Sequence, residues 1–152
     1  MSTHTYTIQE ASGLTGLPSS TLRYYESIGV IRPIERDASS KHRIYSEDDL
    51  HILTMVACLS ATGMGVENMR AYIANSGKGA DVADAQMKLL EIQKQRLIEQ
   101  AKAIQMSQEY VALKTKYWAA VKAGDMSAKE ELSKRSKALS SEIIKNKEKQ
   151  YE

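Results

Sequence analysis

Apolar positions recur along this 152-residue chain in three rhythms, and each predicts a different kind of element. Up to about residue 75 the periodic runs are short and punctuated. Ile8, Ala11 and Leu14 lie at helical spacing behind Thr7-Ile-Gln-Glu10, whose capping-box spacing marks a helix start. Gly16-Leu-Pro18 breaks that helix. Ser19 or Ser20 can cap a second one, which runs through Ile28 and ends at Gly29. Two short helices joined by a tight Gly-containing turn have the outline of a helix-turn-helix.

Ile31–Arg36 and His42–Tyr45 then read as two short extended segments around the polar loop 37–41, with Pro33 suited to an edge. Such a hairpin would form a small wing. Ser46-Glu-Asp-Asp49 is an acidic capping box that opens a helix with Leu50, Leu53 and Ala57 on one stripe. Gly63-Met-Gly65 ends it, and Val66, Met69 and Ile73 mark a fourth helix.

The second rhythm is a strict heptad. Residues 81–123 contain no Gly or Pro, and Leu90, Leu97, Ile104, Val111 and Trp118 recur every seven residues. The companion positions Met87, Lys94, Ala101, Gln108 and Thr115 are mixed. One apolar seam with a diluted second seam predicts a helix–helix contact of moderate strength, for which a second copy of the chain is the better candidate than the small first region. After Ala123-Gly-Asp125 a shorter helix spans about 127–147, with Leu132, Leu139 and Ile143 free to pack on the coil ends or on the other subunit. The expected organisation is a mainly α chain in three pieces: residues 1–75, 76–123 and 124–152.

Composition narrows the function. The formal net charge is only +2, so distribution matters more than the sum. Between residues 19 and 46, Arg23, Arg32, Arg36, Lys41 and Arg43 outnumber Glu26, Glu35 and Asp37, whereas the rest of the first region is acidic. Cations therefore gather on the second helix and the wing. Phosphate binding uses Arg and Lys for charge and Tyr hydroxyls and helix N-termini as positioning donors. Tyr24 and Tyr25 point about 100° apart on a helix, so one is core and the other is left for a partner. The competing reading is a solvated, slightly basic face.

The single cysteine, Cys58, excludes a disulfide framework and any multi-cysteine zinc site, and no cofactor or metal is expected. No secretory signal or membrane-length apolar run is present, which makes the cytoplasm the default location. With three histidines, one cysteine and no nucleotide-binding glycine motif, an enzyme is not expected.

TLRYYESIGVIRP at residues 21–33, followed by RIYSEDDL at 43–50, is very similar to the DNA-binding domain of the MerR family of bacterial transcription regulators. The resemblance covers about residues 6–74. It implies a winged helix-turn-helix whose second helix enters the major groove, with Arg23, Tyr24, Tyr25 and Arg43 on DNA phosphates and Tyr45 close by. One tyrosine would help hold the wing and the other position the helix. With the neighbouring hydroxyl and cationic positions, the candidate DNA-contacting set is Thr7, Ser20, Thr21, Arg23, Tyr24, Tyr25, Arg36, Lys41, Arg43 and Tyr45. The resemblance further implies an antiparallel coiled-coil homodimer on double-stranded promoter DNA. That dimer would reach RNA polymerase indirectly, by distorting the promoter spacer. One departure stands out: where the family has Gly-Tyr-Arg in the wing, this chain has Lys41-His42-Arg43.

The effector follows from similar reasoning. Metal-responsive members carry cysteines around the dimerisation helix, and this chain has none there. Drug-binding members carry a large C-terminal domain, for which the residues after Gly124 are too few. CLSATGMGVENMRAYI at 58–73, with KLLEIQKQRLIEQ at 88–100, resembles a subgroup responding to aldehydes, electrophiles or nitrosative stress through a lone cysteine, here Cys58. Arg70, on the next helix, and His51 are the candidate cationic neighbours of that thiol. The alternatives are a buried Cys58 with non-thiol sensing and, in another class, a DNA-independent coiled-coil adaptor.

Overall fold

The computed structural model describes residues 4–150. Six α-helices follow in order: α1 (Ile8–Thr15), α2 (Ser19–Ser27), α3 (Glu47–Ala61), α4 (Val66–Asn75), α5 (Ala83–Ala123) and α6 (Met126–Gln150), with a 3-10 turn at Gly79–Val82 before α5. Contacts divide the chain into two compact units between Gln93 and Lys94, inside α5.

In the first unit, local chemistry sets each start and stop. Thr7 caps α1 by accepting the Glu10 N–H, and Gly16 ends it at φ 75°. Helix α2 departs from expectation. Its N-cap is Pro18, with no side-chain cap, so Ser19 is already helical. Ser46 and Asp49 form the complete reciprocal box at the start of α3, which also places three acidic residues in its first turn.

The core gathers from α1 to α4: Ala11 from α1, Leu22 and Tyr25 from α2, and Leu50, Leu53, Val56 and Leu59 from α3. Met69 of α4 joins them with Val30, Ile31, Ile34, Tyr45 and Met64 from the connections. Each such aliphatic side chain contributes about 1.5–3 kcal/mol by leaving water, and this anchors the short helices. Leu14, placed on the core stripe by periodicity, is 64% exposed because α1 ends one residue later, before a third turn meets the core.

The wing is looser than a hairpin. Among the described residues it holds only two isolated antiparallel bridges, Arg36 with Arg43 and Tyr6 with Tyr45. The second ties the segment before α1 into the wing, a pairing that sequence periodicity does not reveal.

The first turns of α5 dock on α3 and α4 through polar side chains. Gln86 donates to the Tyr72 carbonyl at 2.9 Å, and Gln93 donates to the Thr62 carbonyl at 2.6 Å. These bonds draw residues 83–93 into the first unit, and the division by contacts falls within α5.

In the second unit, Gly124 at φ 71° reverses the chain, and Asp125 accepts the Ala128 N–H to restart it as α6. Leu113 and Ala120 are buried on one side of this turn, Ser136 and Leu139 on the other. Leu132 and Ile143 continue the half-buried stripe of α6. Leu113 lies 11 residues before Gly124 and Ser136 lies 12 after it, the symmetric spacing of an αα-hairpin.

Candidate nucleic-acid interface and reactive thiol

Helix α2 buries Leu22 and Tyr25, three residues apart, and so turns Arg23 and Tyr24 outward. Tyr25 donates its hydroxyl to Ser60 Oγ at 3.2 Å and closes α2 onto α3. Tyr24 is 52% exposed, its ring centroid 5.9 Å from that of Tyr25.

Beside this helix lies a cavity of about 510 Å³, lined by the chain entering α1 (Thr5 to Gln9), by Arg23, and by Arg36, Asp37, Ser40, His42, Arg43 and Ile44 of the wing. Arg23, Arg36 and Arg43 thus converge from α2 and both arms of the wing on the first turn of α1. Arg43 is fixed there. Its Nε donates to Glu26 Oε1 at 2.7 Å, in a pair whose side chains are 21% and 14% exposed. Glu26 Oε2 in turn accepts the Ile34 N–H at 3.2 Å, so one carboxylate joins α2 to the wing root and aims the arginine. A pair this sheltered is screened little by salt. Glu26 counts in the sequence only as a charge opposing the cations. The cross-chain distance that makes it a positioning group is not a sequence signal.

The wing tip is held by Asp37, whose Oδ1 accepts from the N–H and hydroxyl of both Ser39 and Ser40. Those bonds favour the carboxylate and lower its pKa to about 2. Arg36 donates to the Lys41 carbonyl at 3.0 Å.

The other candidates divide. Thr7 lines the cavity, with Oγ1 engaged in the α1 cap. Lys41 and Ser20 are exposed and Thr21 is half-buried, and none of the three lines the cavity. Arg32 pairs with Asp49 at 3.1 Å, apart from the cationic cluster. Two expectations are corrected. Tyr25, at 7% exposure, and Tyr45, at 0%, are core residues and offer no surface to a phosphate. The Tyr25 hydroxyl is used on α3, while its carbonyl accepts the Val30 and Ile31 N–H groups where the wing begins. Tyr45 is drawn inward because its backbone pairs with Tyr6, which turns its ring to the core side. Its hydroxyl has no hydrogen-bond partner among the described residues, and burial pushes the phenol pKa up.

Cys58 is exposed on α3, one turn before the C-cap Thr62, whose N–H reaches the Cys58 carbonyl. Cys58 is therefore not buried within this chain. Arg70 is occupied elsewhere: Nε and Nη2 donate to the Ile28 carbonyl at 3.1 and 2.6 Å, and Nη1 reaches Glu67. His51 is exposed. On α5 the heptad residues Leu90, Leu97, Ile104, Val111 and Trp118 are 41–64% exposed, an uncovered apolar stripe. Among the described residues no group of three or more His, Cys, Asp or Glu is placed to hold a metal, and no helix is long and apolar enough to cross a membrane.

Residues 6–76 match the family described as MerR HTH family regulatory protein. The transcriptional regulator HmrR of Rhizobium leguminosarum bv. viciae is 44% identical over 90 residues, covering 56% of this chain and 68% of that protein. The chain belongs to the MerR family. The regulator AdhR of Bacillus subtilis (strain 168) is 34% identical over 84 residues, or 55% of this chain and 59% of AdhR, so the match spans roughly three fifths to two thirds of these two relatives. Among solved structures, HiNmlR, a MerR family regulator lacking the sensor domain, shares the fold with a TM-score of 0.66 at 23% identity, over 85% of this chain and 96% of HiNmlR. The MerR match thus covers the elements that build the cationic cavity, whereas the apolar stripe of α5 lies almost wholly beyond it.

Proposed function

We propose that this chain is a transcriptional regulator, and not an enzyme, that binds double-stranded promoter DNA as a homodimer. The observation that carries the reading is the convergence of Arg23, Arg36 and Arg43 around one cavity beside the first turn of α1. Three guanidiniums from α2 and both arms of the wing, one of them braced by Glu26, suit the phosphate backbone better than a solvated face does. Tyr24 and Lys41 are exposed beside Arg23 and His42 in the chain, with Ser20 exposed and Thr21 half-buried in the first turn of α2. HiNmlR, of the same fold, was solved bound to promoter DNA.

Dimerisation runs along the stripe Leu90, Leu97, Ile104, Val111 and Trp118, as an antiparallel coiled coil. A two-fold dimer reads two half-sites of a pseudo-palindrome. It activates by distorting the promoter spacer, through which RNA polymerase is engaged indirectly. The signal is a small reactive electrophile, such as an aldehyde or a nitrosating agent, and it enters at the exposed Cys58.

In vitro transcription from the promoter upstream of its own gene tests both layers, with wild type, Arg23→Ala and Cys58→Ala, before and after formaldehyde or a nitrosothiol. Arg23→Ala is expected to lose promoter binding and all regulation. Cys58→Ala is expected to keep binding and lose only the response. Equal responses from wild type and Cys58→Ala would remove the thiol from the mechanism, and full regulation by Arg23→Ala would remove the cavity from it.

A further inference from the structure

A second cavity, of about 430 Å³, lies among the wing root, α3 and α4, and shares no lining residue with the cationic one. Val30, Ile31, Pro33 and Ile34 of the wing root line it, together with Ile52 of α3 and Ile73 of α4. A cleft of about 300–1,000 Å³ with apolar walls and a few convergent polar groups is the ordinary form of a small-molecule site. Size alone does not choose a ligand.

The charged groups in the lining do. They are Arg32, Arg70 and Asp49, two cations against one anion. Asp49 is spent: Oδ1 accepts from Arg32 Nε at 3.1 Å, and Oδ2 accepts the Ser46 N–H at 2.9 Å. Arg70 is spent on the Ile28 carbonyl and on Glu67. Arg32 is not. Its Nη1 and Nη2 have no hydrogen-bond partner among the described residues, and its side chain is 69% exposed. A guanidinium with its terminal fork free matches a carboxylate, which accepts two parallel N–H bonds from it.

Ile34 gives the cavity a consequence. Its side chain is buried, and its N–H is held by Glu26 Oε2, on the carboxylate whose Oε1 fixes Arg43. Arg70 likewise ties the cavity to Ile28, the C-cap of α2. Movement of the wing on α2 therefore alters the walls of the cavity. That is the differential contact which coupling between two sites requires.

We propose that this cavity binds a small organic monocarboxylate, with its apolar body against Ile52 and Ile73 and its head on Arg32. The occupant holds the wing root where Glu26 aims Arg43, and so raises affinity for duplex DNA. The binding step stands on the cavity alone, whereas its effect on DNA rests on the DNA-binding reading above.

Isothermal titration calorimetry of the full chain with octanoate tests the site, with octanol and acetate as probes that lack the head or the body. Wild type is expected to bind octanoate about tenfold or more tightly than either. Arg32→Gln should bind octanoate and octanol alike. Ala74→Trp, which fills the cavity from an exposed position on α4, should bind neither. Far-UV circular dichroism checks that both variants are folded. Octanoate binding that is absent from wild type, or unchanged in either variant, overturns the site. Fluorescence anisotropy of a labelled duplex from the upstream promoter reads the coupling, with acetate at the same concentration as the ionic control. Saturating octanoate should raise wild-type affinity about fivefold or more and leave Ala74→Trp unmoved. A wild-type affinity that does not rise overturns the coupling and leaves the site. Absence of salt-dependent duplex binding overturns the DNA reading, and the calorimetry still decides the carboxylate site.

Discussion

At the scale of single residues, Lys41 carries the clearest conflict between local chemistry and fold. It sits at φ 64°, the one positive value among the described non-glycine residues. A side chain there meets the following carbonyl, at a cost of about 1–2 kcal/mol. The family's glycine at this place is thereby explained: the turn needs the left-handed conformation, and this chain keeps the turn without the residue that adopts it freely. Lys41→Gly is expected to raise stability by about 0.5–1 kcal/mol in urea unfolding, since the relief of strain is partly offset by the entropy of a glycine in the unfolded chain. The same variant should weaken duplex binding, because it removes a cation from the wing tip. A fall in stability would mean that the wing does not hold this turn in solution. The departure is visible in the sequence, but its conformational consequence is not, because φ at one loop residue depends on the Asp37 turn that encloses it. Tyr24 and Tyr25 show the same limit. Helical geometry dictates that one is buried, and only packing against Leu22 and Ser60 decides that it is Tyr25.

At the scale of elements, capping signals and glycine breaks located the helices well because both act within four residues. The full box at Ser46 and the turns at Gly16, Gly63 and Gly124 lie where the residue pattern puts them. Pairings across the chain were not readable. Tyr6 with Tyr45, Glu26 with Arg43 and Gln93 with Thr62 join positions 17 to 39 residues apart, and nothing local announces them. Gln93 is the most exacting of these. It is 5% exposed, its Nε2 caps the Thr62 carbonyl at the end of α3, and its Oε1 is buried without a partner among the described residues. Gln93→Glu would set a buried carboxylate against that carbonyl, two acceptors with no proton between them. A loss of about 2–3 kcal/mol or more in chemical unfolding is expected, easing at acidic pH as the carboxyl is protonated and can donate. Since Cys58 lies one turn before Thr62, the variant should also disturb any signal passing from the thiol to α5. A stability equal to wild type at neutral pH would show that the junction of α3 and α5 is hydrated and open.

For the whole molecule, the question is what covers α5. The helix presents two apolar faces in its second half. One, through Met106, Tyr110, Leu113, Tyr117 and Ala120, is half-buried or buried where α6 returns along it. The other is the heptad stripe, with Ile104 and Val111 at 61% and 63% exposure. Heptad spacing made the second face evident from sequence alone, because a repeat of seven keeps one side of a helix in register over many turns. The partner's direction is not encoded in that repeat. An uncovered row of this length on a 41-residue helix is a standing cost in water, which a second copy of the same row would remove. Ile104→Glu places a carboxylate in the middle of the row and, by two-fold symmetry, enters the interface twice. The dimer dissociation constant should rise by about 100-fold or more in analytical ultracentrifugation, as two charges would have to be buried without partners. Lys102→Glu, which changes charge on another face of the same turn, should leave association intact and so separates burial from net charge. DNA binding should fall with the dimer in Ile104→Glu, since one subunit holds only one half-site. Should the variant sediment as wild type does, the stripe is not the contact, and the two-fold reading of DNA would need another interface to support it.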